Sequence, residues 1–117
     1  MRHRDPAPVS IPILPATDLA VSAAFYEQLG FDVDHYDARY AFVGVAGTEL
    51  FHLEVTDVSR PGHPATAYLH VPDVDHTHAT WWGAGVAVGE LMDRPWGMRE
   101  FAVKDPFGNT LRVGSNG

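Results

Sequence analysis

Residues 94–113 read RPWGMREFAVKDPFGNTLRV, and the fold turns on how this stretch is parsed. Arg99 to Lys104 alternates apolar Phe101 and Val103 with polar neighbours, the two-residue period of a half-buried strand. Asp105-Pro106-Phe107-Gly108-Asn109 then supplies turn chemistry. Pro106 presets φ for an early turn position, Gly108 and Asn109 tolerate positive φ, and the Asp105 carboxylate can accept from the backbone ahead of it. Thr110 to Val113 leaves as a second strand, so the unit is a hairpin with a five-residue connection. Ahead of it, Pro95-Trp96-Gly97 sets a large amphipathic ring at the entrance to the first strand, where it either covers core or lines a cavity.

The rest of the chain bounds what that hairpin can belong to. With 117 residues the protein suits one domain able to bury roughly two thirds of its unfolded surface. Apolar content of 45% and charge of 20% are those of a soluble globule, and no apolar run approaches the ~20 residues of a membrane span. Residues 1–8, MRHRDPAP, lack the apolar segment of a signal peptide, so the expectation is a cytoplasmic protein with a short disordered start. The absence of cysteine removes disulfides, thiolate nucleophiles and cysteine metal sites. A formal charge of −7 with eight scattered basic residues excludes the basic face that nucleic acid requires. Such acidity favours a cationic ligand, and it also simply keeps a small protein soluble.

Taken in order, Val9 to Leu14 is apolar and β-branched, with Pro12 confining it to an edge or a strand end. Thr17 or Asp18 caps a helix carrying Leu19, Ala23, Phe25, Tyr26 and Leu29 at helical spacing, and Gly30 ends it. Phe31–Tyr36, Tyr40–Val45 and Glu49–Val55 follow as a three-stranded meander, then a polar, Pro- and Gly-rich connector over Thr56–Thr66. The order then repeats: a strand over Ala67–Val71, a helix from Asp73 to about Ala84 stopped by Gly85, and strands over Val86–Leu91, Arg99–Lys104 and Thr110–Val113. Asp18 maps onto Asp73 and Gly30 onto Gly85, both at a spacing of 55 residues, which marks a duplicated βαβββ unit. The expected architecture is α+β: two tandem βαβββ modules, residues 8–57 and 66–115 joined by 58–65, forming a curved antiparallel sheet around a cleft.

This duplication, together with PWGMREFAVKDPFGNTLRV, resembles the vicinal oxygen chelate (glyoxalase, bleomycin resistance, dioxygenase) superfamily and, within it, the bleomycin-resistance proteins. The similarity runs from VSIPILPATDL through AAFYEQLGF to the hairpin. Enzymes of the superfamily hold a divalent metal with His and Glu on the concave sheet faces, leaving a position open for substrate oxygens. The corresponding positions are Ile11, Leu50, Ala67 and Arg112, of which three cannot ligate and the fourth would repel a cation. No metal and no other cofactor is therefore expected. The one unconventional alternative is a displaced site for a glyoxalase- or dioxygenase-type enzyme built from His52, Glu54 and His70. His76 and His78, two apart on a helix, point to different faces; His3 and His63 fall in irregular segments.

Aromatic residues give the remaining signal. Phe25, Tyr26, Trp81, Trp82, Phe101 and Phe107 fall at helix, strand or turn positions that fit a core. Tyr36, Tyr40, Tyr68 and Trp96 instead border polar neighbours near strand ends or loops, where a ring can stack on a flat ligand. The resemblance implies that Trp96 stacks the ligand, that Tyr68 lies where a second aromatic is placed, and that Asp34 holds a carboxylate position. His35 replaces an aromatic common beside that carboxylate, and Met98 lengthens the PWG-to-REF segment. With His52, these residues make the expected ligand site. The expected function is metal-free sequestration of an antibiotic-like, planar, cationic small molecule, where cation–π and Coulomb terms contribute about 1 kcal/mol each near a surface. The resemblance also implies a homodimer, with the arm containing Pro8 exchanged between chains.

Overall fold

The DPFGN turn forms as the sequence predicts and also ties the two halves of the molecule together. In the computed structural model, which describes residues 7–117, Gly108 takes φ of +84° and the Asp105 N–H donates to the Asn109 carbonyl at 2.9 Å. The expectation for His3, and that of a disordered start over residues 1–8 as far as residue 6, lie outside the described residues, and Ala7 and Pro8 are irregular and exposed. Asp105 Oδ1 accepts from the backbone N–H groups of Phe107 and Asn109, each at 2.9 Å. Its Oδ2 accepts from the Tyr26 hydroxyl at 2.7 Å and from Asn109 Nδ2 at 2.8 Å. Asn109 in turn donates to the Pro15 carbonyl and accepts from the Ala65 N–H. Asp105 and Asn109 are buried, so their polar atoms are expensive unless paired, and here they are paired to residues of both halves. Burial, then the Asp105 charge and hydrogen bond, hold the Tyr26 phenol far above its usual pKa, so it stays a neutral donor.

Each half has the order expected. The first contains β1 (Ile13–Ala16), α1 (Leu19–Gln28), β2 (Asp32–His35), β3 (Tyr40–Val45) and β4 (Thr48–Val55). The second contains β5 (Thr66–His70), α2 (Val74–Gly83), β6 (Met92–Asp93), β7 (Met98–Lys104) and β8 (Thr110–Asn116). Asp18 and Asp73 cap the helices by accepting from Val21 N–H and His76 N–H, and Gly30 and Gly85 follow the helix ends at φ of +93° and +86°. No helix among the described residues is long and apolar enough to cross a membrane.

The strands form two four-stranded sheets, ordered β1-β4-β3-β2 and β5-β8-β7-β6. Each sheet is mixed rather than wholly antiparallel, because β1 runs parallel to β4 and β5 parallel to β8. The count of reversals requires this. The helix crossover returns the chain so that β2 runs as β1 does, and two hairpins then restore that direction in β4. The predicted strand over Val9–Leu14 begins only at Ile13. Pro12 cannot donate, and its carbonyl alone joins the sheet edge, accepting from His52 N–H at 2.9 Å. Val86–Leu91 is not a strand: it meets β7 through Gly89 N–H to the Ala102 carbonyl at 2.8 Å, and ladder pairing is confined to Met92 and Asp93 against Glu100 and Arg99.

One face of each sheet and one face of each helix share a core. Leu14, Tyr26, Phe51, Leu53, Leu111 and Val113 are fully buried, and an aromatic chain crosses between the halves. Tyr26 neighbours Phe31 at 6.5 Å between ring centroids, Phe31 meets Trp81 edge-on at 5.8 Å, and Trp81 meets Phe101 at 5.6 Å. Trp82, expected in the core, is 68% exposed. Adjacent helical residues lie about 100° apart, so with Trp81 facing the sheet its neighbour turns to solvent.

Candidate functional site

Strand alternation assigns the other face of each sheet. In β3, Ala41 and Val43 are buried, so Tyr40, Phe42 and Gly44 face outward. Register carries this outward set across the sheet: Phe42 pairs with Asp34 and His52, Tyr40 with Glu54, and Ile13 with His52. Phe42 is the hub of an aromatic cluster. Its ring lies 4.8 Å from His52, 5.7 Å from Tyr40 and 6.4 Å from Tyr36, all close to edge-on. Tyr36, Tyr40, Phe42, Asp37, Arg39 and Glu54 line an open hollow of about 660 Å³.

Within that face His52 is held by two neighbours. Tyr40 OH and His52 Nδ1 are hydrogen-bonded at 2.7 Å, and His52 Nε2 contacts the Glu49 carboxylate. Partial burial, then the Glu54 and Glu49 charges, raise the Tyr40 pKa, so its hydroxyl remains protonated. Four predicted ligand residues, Asp34, Tyr36, Tyr40 and His52, thus share one surface. His35 does not share it. It pairs with Ala41 and has the parity of Val33, which places it on the opposite face of β2 from Asp34.

Tyr68 stands on the second sheet, and Trp96 lies in the turn between its strands β6 and β7. Ala67 and Leu69 point into the core, so Tyr68 and His70 face outward. Tyr68 lies across Gly114 and donates from its hydroxyl to Glu100 Oε2 at 2.7 Å. Glu100 Oε1 accepts from Arg112 Nη2 at 2.7 Å and Arg94 Nε at 3.2 Å. Although Glu100 is buried, which raises a carboxyl pKa, the hydrogen bonds from Arg112 and Tyr68 and the Arg112 charge outweigh that and hold it below the ordinary value. Burial, with the hydrogen bond and charge of Glu100, raises the Tyr68 phenol despite the two arginines. Arg112 lies 5.8 Å from the Tyr68 ring centroid and Arg94 5.8 Å from that of Trp96, which is 63% exposed. A second cleft, about 520 Å³, opens where the halves meet, between Ile11, Leu50, Tyr68, His70, the half-buried Phe31 and the buried Trp81.

The metal positions implied by the resemblance do not form a ligand set. Ala67 is buried on the core face, so the outward residue of that strand is Tyr68. The outward residues that pair across the parallel strands are Ile13 with His52 and Tyr68 with Arg112. An imidazole paired with an isoleucine on one sheet, and a phenol paired with a guanidinium on the other, do not make a donor set for a divalent cation. Nor do His52, Glu54 and His70 converge: among the described residues, no three His, Asp or Glu groups are placed to hold a metal.

Phe42 was not anticipated as a site residue, although the YAFVGV alternation carried the signal. Glu100 and Arg94 were likewise missed, because their pairing with Tyr68 depends on the β7–β8 register and on the closing of the β6–β7 turn.

Comparison with known proteins agrees with this architecture. A sequence profile described as "Glyoxalase/Bleomycin resistance protein/Dioxygenase superfamily" matches residues 9–113. No curated protein sequence matches the chain. Among solved structures, the bleomycin-binding protein from bleomycin-producing Streptomyces verticillus, in complex with copper(II)-bleomycin, is 28% identical, with 97% of this chain and 99% of that one covered at a TM-score of 0.78. An antibiotic binding protein from Streptomyces sp. CB03234 is also 28% identical, with 98% and 100% covered at a TM-score of 0.76. A lactoylglutathione lyase from Agrobacterium tumefaciens, 20% identical, with 96% of each chain covered at a TM-score of 0.76, shares the fold.

Proposed function

The chain belongs to the glyoxalase/bleomycin resistance protein/dioxygenase superfamily, and from that premise we propose that it is a metal-free binding protein that sequesters an aromatic, cationic, antibiotic-like small molecule. The observation that carries this reading is the outward face of the first sheet. There, rings of Tyr36, Tyr40 and Phe42 stand beside the carboxylates of Asp34 and Glu54, a surface suited to stacking a flat cation. Both relatives at 28% identity are binding proteins for bleomycin or another antibiotic, which supports the same class of ligand.

The ligand-contacting residues we assign are Asp34, Tyr36, Tyr40, His52, Tyr68 and Trp96, joined by Phe42; His35 is left out on its face. They fall on two separate outward faces, so a complete cleft is made when the first sheet of one chain meets the second sheet of a partner in a homodimer. The first face carries Asp32, Asp34, Asp37 and Glu54 against Arg39, an acidic excess, whereas the second sets Arg94 and Arg112 against Glu100 with Glu90 nearby, so the second face is the less acidic of the two. Such a protein would act in the cytoplasm, lowering free ligand by stoichiometric binding, and would need no catalytic group.

Titration of intrinsic tryptophan fluorescence with bleomycin and a series of planar cations tests the reading. The expected outcome is saturable quenching by at least one compound and about tenfold weaker binding in Trp96→Ala, on the order of 1.4 kcal/mol. Quenching by none, or identical curves for the variant, contradicts it. Metal analysis of untagged protein addresses the enzymatic alternative: stoichiometric Ni, Zn, Mn or Fe would overturn the metal-free reading.

A further inference from the structure

We propose that the second sheet carries an oxyanion site, formed by Arg94 and Arg112, and that the ligand is zwitterionic: a planar cation that also bears a carboxylate or a comparable anion. This rests on the binding function proposed above and names a chemical feature of the ligand that the acidic first sheet does not suggest.

Two guanidinium groups converge on a single buried carboxylate, leaving one positive charge uncompensated among the three. Glu100 takes one N–H from each arginine, Arg94 Nε at 3.2 Å and Arg112 Nη2 at 2.7 Å. Among the described residues the other guanidinium N–H groups make no bond to protein, and both arginines stay partly exposed. Five planar donors per guanidinium, with one committed, leave a fork that matches two oxygens of an anion. Glu100 accordingly positions the arginines, and Tyr68 completes its pairing so that it requires no further donor.

The surroundings specify what attaches to the anion. Arg94, Glu100 and Arg112 line a hollow of about 180 Å³, room for a carboxylate together with part of the group that bears it; Glu90 is the one other acidic residue there. The rings of Trp96 and Tyr68 sit beside the two guanidinium groups at 5.8 Å, ready to stack on an aromatic system joined to the anion. An aromatic carboxylate that reaches the cationic fork lays its ring toward Trp96 or Tyr68, which contact the two arginines without lining the hollow.

Three probes matched in their ring system separate these contributions: 2-anthracenecarboxylate, 2-anthracenemethanol and 2-(aminomethyl)anthracene, each followed by fluorescence anisotropy on the full chain. The expected result is that the carboxylate binds about tenfold more tightly than the alcohol, the size of one charge-assisted hydrogen bond. That preference should disappear in Arg112→Met and in Arg94→Met and persist in Lys104→Met, which removes a charge elsewhere on the same sheet. Arg94 is the more peripheral of the pair, so Arg94→Met alone decides the matter where Arg112→Met does not fold. Equal affinity for carboxylate and alcohol, or a preference that survives both arginine substitutions, overturns the anion site. If the alcohol and the amine bind and the carboxylate gains nothing, the aromatic binding reading stands and the anion site falls. If none of the three binds, both are contradicted.

Discussion

Asp105 is the residue on which most of the tertiary structure converges. Its carboxylate accepts four hydrogen bonds, two from its own turn, one from Asn109 and one from Tyr26. The turn itself was legible, because Pro, Gly and Asn each have a local reason to be there. The Tyr26 contact was not, since it spans 79 residues and depends on how α1 docks. Asp105→Ala strands those donors in a buried site and should destabilise the fold by about 3 kcal/mol, and Tyr26→Phe by about 1–2 kcal/mol, as read from urea midpoints. Titration gives a separate check. Tyr26 has a raised pKa when folded, so its contribution is full below the unfolded tyrosine value near 10 and declines as pH rises above it. Glu100 has a lowered pKa, so its contribution is full above the ordinary carboxylate value and is lost as pH falls through its folded value. Stability should therefore fall at both extremes, with the alkaline limb flattened in Tyr26→Phe. Unchanged alkaline behaviour in that variant would contradict the assignment.

At the scale of elements, period-2 alternation decided which strands exist more reliably than which side chains share a face. Tyr40–Val45 was read correctly as a strand, yet Phe42 passed unnoticed because an apolar ring on a strand reads as core until its neighbours are known to be buried. His35 entered the expected site through the resemblance, as the residue beside the Asp34 carboxylate, and in a strand neighbours in sequence lie on opposite faces. The β7–β8 pair offers a test of how the second face is held. An added Cβ at Gly114 would lie 2.2 Å from the Tyr68 hydroxyl oxygen and 3.0 Å from Glu100 Cγ. Gly114→Ala should force Tyr68 away from Glu100 while leaving Arg94 and Arg112 in place. Ultraviolet titration should then show a tyrosine pKa moving back toward its ordinary value, since the Glu100 hydrogen bond and charge contribute to raising it. A titration curve identical to that of the parent protein would show that Tyr68 does not depend on this contact.

For the whole molecule, the α+β duplication was legible because capping Asp and terminating Gly recur at a constant spacing of 55 residues. The division of the candidate site between two outward faces was not, since sequence spacing says nothing about which sheet faces meet. That division makes association part of the functional account. Sedimentation equilibrium at micromolar concentration should return twice the chain mass, and charge reversal at Arg112 (Arg112→Glu) should shift the population toward monomer; a monomer for the parent protein would contradict the composite cleft. The most direct measurement of the central claim uses the three tryptophans, which occupy distinct places: Trp81 in the core, Trp82 on the solvent side of α2 and Trp96 beside Arg94. In proton–nitrogen correlation spectra recorded during titration with bleomycin or a planar cation that quenches fluorescence, the Trp96 indole N–H and the amides of Tyr40, Phe42 and His52 should shift together and saturate, with Trp82 unmoved. Saturable shifts confined to Trp82 and α2, or no saturable shift with any such compound, would contradict the account.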